Sequence, residues 1–192
     1  QQPVISADWS CDAEQWVTPP AVDNGVYKGH IYSNCLITQA RSGGLAALDQ
    51  LLLAQVTRSR QVHAGPIPET YEGLPGVRYD VSIGGADGSD SISMRQNVHV
   101  ATDRVRRSLY HTVSTEVSGE GMASYIERVN IRVEVWATAQ AGVYRLQASN
   151  YVEANKPWYA PGGVFRSQAE KAQKEQYLKI RNRTIPEYAG AL

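Results

Sequence analysis

Two stretches of the chain alternate apolar and polar side chains, one for nearly as long as a protein of this size is wide and the other for longer. Val105, Leu109, Val113 and Val117 recur on one side of residues 105–117, and Tyr125, Val129, Ile131, Val133 and Val135 do the same in residues 123–137. A period of two marks a β-strand with one buried face. At ~3.3 Å per residue the second run reaches about 50 Å when extended. A compact chain of 192 residues has a radius of gyration near ~16 Å and is about 40 Å across. Strands of that length must bend or coil. A bent antiparallel sheet leaves one concave face, and something must cover it.

The remaining segments supply partners for these strands. Val77, Tyr79, Val81 and Ile83 alternate, then Ile92, Met94, Val98 and Val100, and later Tyr144, Leu146, Ala148 and Val152. The gaps are short, so neighbours are expected to pair as antiparallel hairpins. Residues 26–38 read as a first strand. Residues 1–24 read as an irregular arm closed by Pro19-Pro20 and the turn residues Asp23-Asn24-Gly25. Pro66, Pro68 and Pro75 mark residues 63–76 as a loop.

Two helices are expected. In residues 45–57, Leu45, Leu48, Leu52 and Val56 fall at helical spacing, Ser42 stands where it can cap the start, and Arg58 and Arg60 sit where the helix dipole favours cations. This helix is apolar around most of its circumference, which suits burial; a docking surface for a partner or lipid is the alternative. Residues 163–183 read as a second helix, with Phe165, Ala169, Ala172, Gln176 and Ile180 on one face, Glu170–Lys174 and Glu175–Lys179 as ion pairs, and Pro186 as its stop. The expected fold class is therefore α+β: a curved antiparallel sheet of about six strands gripping a long C-terminal helix, with one further helix after the first strand. The arm 1–24 precedes a single domain, 25–192.

Composition narrows the function classes. Nineteen basic residues balance nineteen acidic ones, which removes the electrostatic case for general nucleic-acid binding. No apolar run approaches the ~20 residues of a transmembrane helix. The chain starts at Gln1 without a basic or apolar leader and reads as a mature or trimmed product. Cys11 and Cys35 are its only cysteines. They either close one disulfide, which fits an exported (periplasmic or extracellular) protein, or stand as two thiols in a cytoplasmic one. The exported form is the expectation.

Familiar catalytic signatures are absent: there is no G-x-S-x-G, H-E-x-x-H, Walker A or G-x-G-x-x-G pattern. No cofactor is implied. Asp87-Gly88-Ser89-Asp90 places two carboxylates beside glycine but lacks the ligand count of a calcium loop, so a solvated turn is expected. Asn182-Arg183-Thr184 matches the N-glycosylation pattern inside a helical segment, where coincidence is the simpler reading. The histidines His30, His63, His99 and His111 form no metal-ligand spacing. His99 is expected on a polar face. His111 and Arg107 share the alternation of Leu109 and Val113, and Glu127 shares that of Tyr125 and Val129. Charged or titratable groups on an apolar face need partners or a wet cavity. They form either a polar patch in a ligand pocket, with His111 and Glu127 able to shuttle protons, or strand ends that leave the core or flip at a bulge. Trp158 and Tyr159 either rim a cavity mouth or anchor the final helix.

The order of strand, helix, antiparallel strands and long C-terminal helix resembles the START-like or Bet v 1-like helix-grip superfamily. The resemblance spans residues 26–185 and includes Pro157-Trp158-Tyr159-Ala160-Pro161, where the last strand meets the closing helix. Fuller members have seven strands and two helices after the first strand, and the arm has no counterpart among them. The resemblance implies a cavity between sheet and C-terminal helix that binds or carries a hydrophobic or amphipathic small molecule or lipid. Arg107, His111, Tyr125, Glu127, Val129, Trp158 and Tyr159 are the candidate ligand-binding residues. Two alternatives stand beside it: a cyclase- or hydrolase-type enzyme using His111 and Glu127 as acid and base, and an exported structural or interaction protein with a filled core.

Overall fold

The computed structural model describes residues 8–38, 43–58, 60–84 and 92–192. Ser42 and the Asp87–Asp90 turn lie outside the described residues. In chain order the elements are β1 (Asp8–Cys11), β2 (Gln15–Trp16), β3 (Ala21–Asp23), β4 (Val26–Thr38), α1 (Gly44–Thr57), β5 (Gln61–Tyr71), β6 (Leu74–Ile83), β7 (Ile92–Thr102), β8 (Arg107–Gly119), a 3-10 turn (Gly121–Tyr125), β9 (Ile126–Ala137), β10 (Val143–Asn155) and α2 (Gly162–Ala191). The strands form one antiparallel sheet in the order β1-β4-β10-β9-β8-β7-β6-β5, with β2 and β3 also paired to β4. This is the expected α+β arrangement: a large antiparallel sheet, a long C-terminal helix and one earlier helix.

The strand count among the described residues is higher than expected, ten instead of about six. The segment read as an irregular arm contributes β1, β2 and β3, all laid against β4. The segment read as a loop contributes β5 and the start of β6. Pro66 and Pro68 do not prevent this, because β5 is an edge strand and needs no donors on its outer side. A two-residue turn joins the hairpin. Glu72 (φ 49°) and Gly73 (φ 80°) both lie in the left-handed region, the geometry that matches the twist of paired strands.

Register divides the sheet into two faces. Tyr27, Ile31, Cys35 and Ile37 of β4 align through β10, β9 and β8 with Leu146, Ala148, Val133 and Val135, then with Tyr110, Val100, Val98 and Tyr79. Both helices pack on this inner face. Leu45, Leu48, Leu52 and Val56 of α1, as spaced in the sequence, meet Val81, Val98, Val100, Val135 and Leu146, together with Ile185, Tyr188 and Ala189 of α2. Bulges at Ser93/Arg95 and Glu153/Ala154 are the places where these long strands can bend.

Helix α2 lies differently from expectation in three ways. Its buried stripe runs Phe165, Ala169, Gln173, Tyr177, Ile185 and Tyr188, whereas Gln176 is exposed. Polarity hid this stripe, since Gln173 and Tyr177 are buried by satisfying backbone groups of the sheet. The ion pairs also change partners: Glu170 takes Arg166 at 2.6 Å, and Lys174 reaches Glu14 of the N-terminal segment at 3.3 Å. Finally, the helix continues through Pro186 to Ala191. Pro186 and Asn182 are both exposed, so the Asn182 carbonyl that loses its donor can be solvated. The far end is tied down by the amides of Gly43 and Gly44, which donate to the Leu192 carbonyl at 2.7 and 2.8 Å.

Candidate functional site

A hydrogen-bonded seat fixes the first half of α2. Tyr27 donates its hydroxyl to Gln173 Oε1 at 2.6 Å, and Gln173 Nε2 donates to the Gly29 carbonyl at 2.9 Å and Asn150 Oδ1 at 3.1 Å. Tyr177 donates to Ser33 Oγ at 2.8 Å or the Ala148 carbonyl at 3.1 Å. Glycine is required at position 29, because a Cβ there would collide with Gln173 Oε1 and Tyr27 Oη. The helix therefore rests close over β4 and β10. Helix α1 packs over β7 and β8. Between the two helices part of the inner face is left uncovered.

That gap is a cavity of about 540 Å³. Its floor includes Tyr110 of β8, Ile131 and Val133 of β9 and Ala148 of β10. One wall is α2, from Tyr177 through Ile180 and Thr184 to Tyr188; the other is the end of α1 with Gln55, Arg58 and Arg60. The volume falls within the range of ~300–1,000 Å³ typical of small-molecule sites. Polar groups ring the apolar floor. Arg60 donates to the Gln55 carbonyl at 2.8 Å, Gln96 Oε1 at 3.1 Å and Tyr110 Oη at 3.3 Å. Arg181 donates to Ser33 Oγ at 3.1 Å, and Glu187 accepts from Gln55 at 2.7 Å. Burial pushes the hydroxyls of Tyr110, Tyr177 and Tyr188 above the usual tyrosine range, so all three remain protonated donors.

None of the seven residues singled out in the sequence as ligand-binding lines this cavity. Arg107 and His111 do share a face with Leu109 and Val113, but it is the outer face, turned away from both helices. The inner face of β8 carries Ser108, Tyr110, Thr112 and Ser114. Apolar character points outward here because Leu109 is buried under the β5–β6 hairpin with Tyr71, Leu74 and Ala101. Tyr125 packs edge-to-face on Phe165 at the opposite end of α2 from the cavity and meets the Tyr159 hydroxyl at 3.3 Å. Trp158, 91% exposed, stacks edge-on against Tyr159. Val129 belongs to the inner face, half-buried. Glu127 is exposed and accepts from Asn155 at 3.0 Å.

The missed residues left faint signals. Tyr110 sits in the polar phase of its strand, and the helix dipole alone is reason enough for cations at Arg58 and Arg60. The cysteines form the disulfide, Cys11 to Cys35, directly opposite one another on β1 and β4.

The outer face holds a separate polar cluster. Glu134, 6% exposed, accepts from Arg107 at 2.7 Å and from Arg132 at 3.2 Å. Both arginines also engage Glu72 at the hairpin tip. The hydrogen bond from Arg132 holds the Glu72 carboxyl below the usual carboxylate range. Tyr71 stacks on His99 with ring centroids 4.0 Å apart and contacts His111 Nδ1 at 2.5 Å, while His99 meets Glu69 at 2.5 Å. Burial, then Arg132 and His99, push the His111 imidazole down. A neutral imidazole accepts the Tyr71 hydroxyl at Nδ1. The cluster docks the hairpin onto the sheet. His111 and Glu127 are not paired: His111 faces Arg132 across the strands, and Glu127 lies about 16 Å farther along β9.

Among the described residues no three His, Cys, Asp or Glu side chains converge as a metal ion would need, and no helix is long and apolar enough to cross a membrane.

No family model and no curated protein matches the chain. Among solved structures, Ara h 8.0201 is similar at 15% identity and a TM-score of 0.40, covering 86% of this chain and 98% of that one. The human StarD13 (DLC2) lipid transfer and protein localization domain is similar at 14% identity and a TM-score of 0.33, covering 81% and 84%. The helix-grip order itself stands on this chain's own elements and sheet pairing.

Proposed function

We propose that the protein binds an apolar or amphipathic small molecule in the gap between α1, α2 and the inner face of the sheet. The observation that carries this reading is the cavity of about 540 Å³ with Ile131, Val133 and Ala148 in its floor and tyrosine hydroxyls and arginines around them. An apolar body would lie on the floor, and the polar groups would orient one end. Binding or carriage, without a reaction, is the proposed role; Arg60, Arg181 and Glu187 are already engaged by neighbouring groups of the fold. The Cys11–Cys35 disulfide supports an exported setting, where such a bridge persists.

The test is titration with an environment-sensitive apolar dye. The native protein should bind it with a stoichiometry near one. Ile131→Trp, at a half-buried floor position, should weaken binding by about tenfold, since an indole there occupies the space the dye needs. A protein that leaves the dye dark would instead have a filled core and a structural or interaction role. Equal binding by native and Ile131→Trp proteins would move the site elsewhere.

A further inference from the structure

Among the described residues the cavity is lined by four arginines, Arg58, Arg60, Arg181 and Arg183, against one carboxylate, Glu187. Their commitments differ. Arg60 is spent on Gln55, Gln96 and Tyr110. Arg181 is held by Ser33 and has Glu14 at 3.9 Å. Arg58 and Arg183 are exposed and make no ion pair among the described residues. Glu187 is engaged by Gln55. A second feature points into the same space. Tyr188, 2% exposed, also lines the cavity, and burial keeps its hydroxyl protonated.

We infer that the ligand's polar end is an anion, a carboxylate or phosphate, held at the cavity mouth by Arg58 and Arg183. The inference rests on the binding reading above and names the class of molecule: an anionic amphiphile. Four guanidinium groups around one cavity repel one another, and an entering anion relieves that repulsion while accepting charge-assisted hydrogen bonds. A cationic or neutral head gains neither. Arg58 comes from the end of α1 and Arg183 from α2, so an anion between them also bridges the two helices that bound the gap.

The experiment displaces the bound dye with four amphiphiles of one chain length: dodecanol, dodecanoate, dodecyl phosphate and dodecyltrimethylammonium. Inorganic phosphate serves as a fifth probe. Dodecanoate and dodecyl phosphate should bind at least about tenfold tighter than dodecanol, with an advantage that shrinks as salt is raised. The R58E/R183E protein, altered only at exposed positions, should lose that advantage of dodecanoate and dodecyl phosphate over dodecanol. Displacement by inorganic phosphate at comparable concentration would mean a free-anion site and overturn the amphiphile assignment. Equal affinity for dodecanol and dodecanoate would overturn the anionic head and leave the cavity reading standing. Failure of every dodecyl compound, dodecanol included, would overturn the cavity reading itself. An anion advantage that persists in R58E/R183E would overturn the assignment of these two arginines.

Discussion

Replacing Gln173 with leucine removes the polar seat of α2 while keeping most of the side-chain volume. Gln173 is 6% exposed and Tyr27, whose hydroxyl it accepts, is 0% exposed. The substitution orphans that hydroxyl and takes the donor from Asn150 Oδ1. Each buried polar group left without a partner costs ~1–3 kcal/mol, so the change should destabilise the fold by about 2–4 kcal/mol. For a domain of this size that lowers Tm by about 5–15 °C. Tyr27→Phe alone should cost about 1 kcal/mol, because the Gln173 amide keeps its contacts to Gly29 and Asn150. The double variant should be less damaged than the sum by about 1–2 kcal/mol, since the orphaned hydroxyl is gone. Urea unfolding followed by circular dichroism, with m-values compared across the four proteins, measures this cycle. Gln173→Leu within ~0.5 kcal/mol of the native protein, or costs that simply add, would refute the idea that this pair seats the helix.

Two further outcomes follow from named contacts. The His111 imidazole is held below its ordinary value of 6.5 in the folded protein. The unfolded chain therefore takes up the proton first as pH falls, and the stability linked to His111, fully present above about pH 6.5, is lost toward the lower folded value. His111→Asn should flatten the slope of unfolding free energy as pH falls below about 6.5; identical slopes for the two proteins would contradict the burial of this ring. The Cys11–Cys35 bridge closes a span of 24 residues, which in the chain-entropy model contributes about 3 kcal/mol. Reduction should lower Tm by about 6–12 °C, and an unchanged melting curve in reductant would contradict it.

Much of the fold was legible because local pattern and burial agree. Strand β4 matches the expected 26–38, and the α1 stripe of Leu45, Leu48, Leu52 and Val56 is buried as spaced. The face that carries His111 and Arg107 was harder to read, and one physical cause accounts for it. Three prolines hid the β5–β6 hairpin, and without that hairpin nothing was available to cover the outer face of β8. The apolar phase of Leu109 and Val113 was then assigned to the inner face, and His111 and Arg107 went with it. The inner phase, Ser108, Tyr110, Thr112 and Ser114, is made of small hydroxyls and one tyrosine that pack well without looking apolar. The same holds for α2, where Gln173 and Tyr177 are buried through hydrogen bonds to strand carbonyls that no periodicity reveals.

The most direct test of the account is a methyl NMR titration of the folded protein with a dodecyl amphiphile. Shifts should be confined to Ile131, Val133, Ala148 and Ile180, which line the gap, with Leu74 and Leu109 beneath the outer hairpin unmoved. Shifts centred on those outer-face methyls, or none anywhere at saturating ligand, would contradict it.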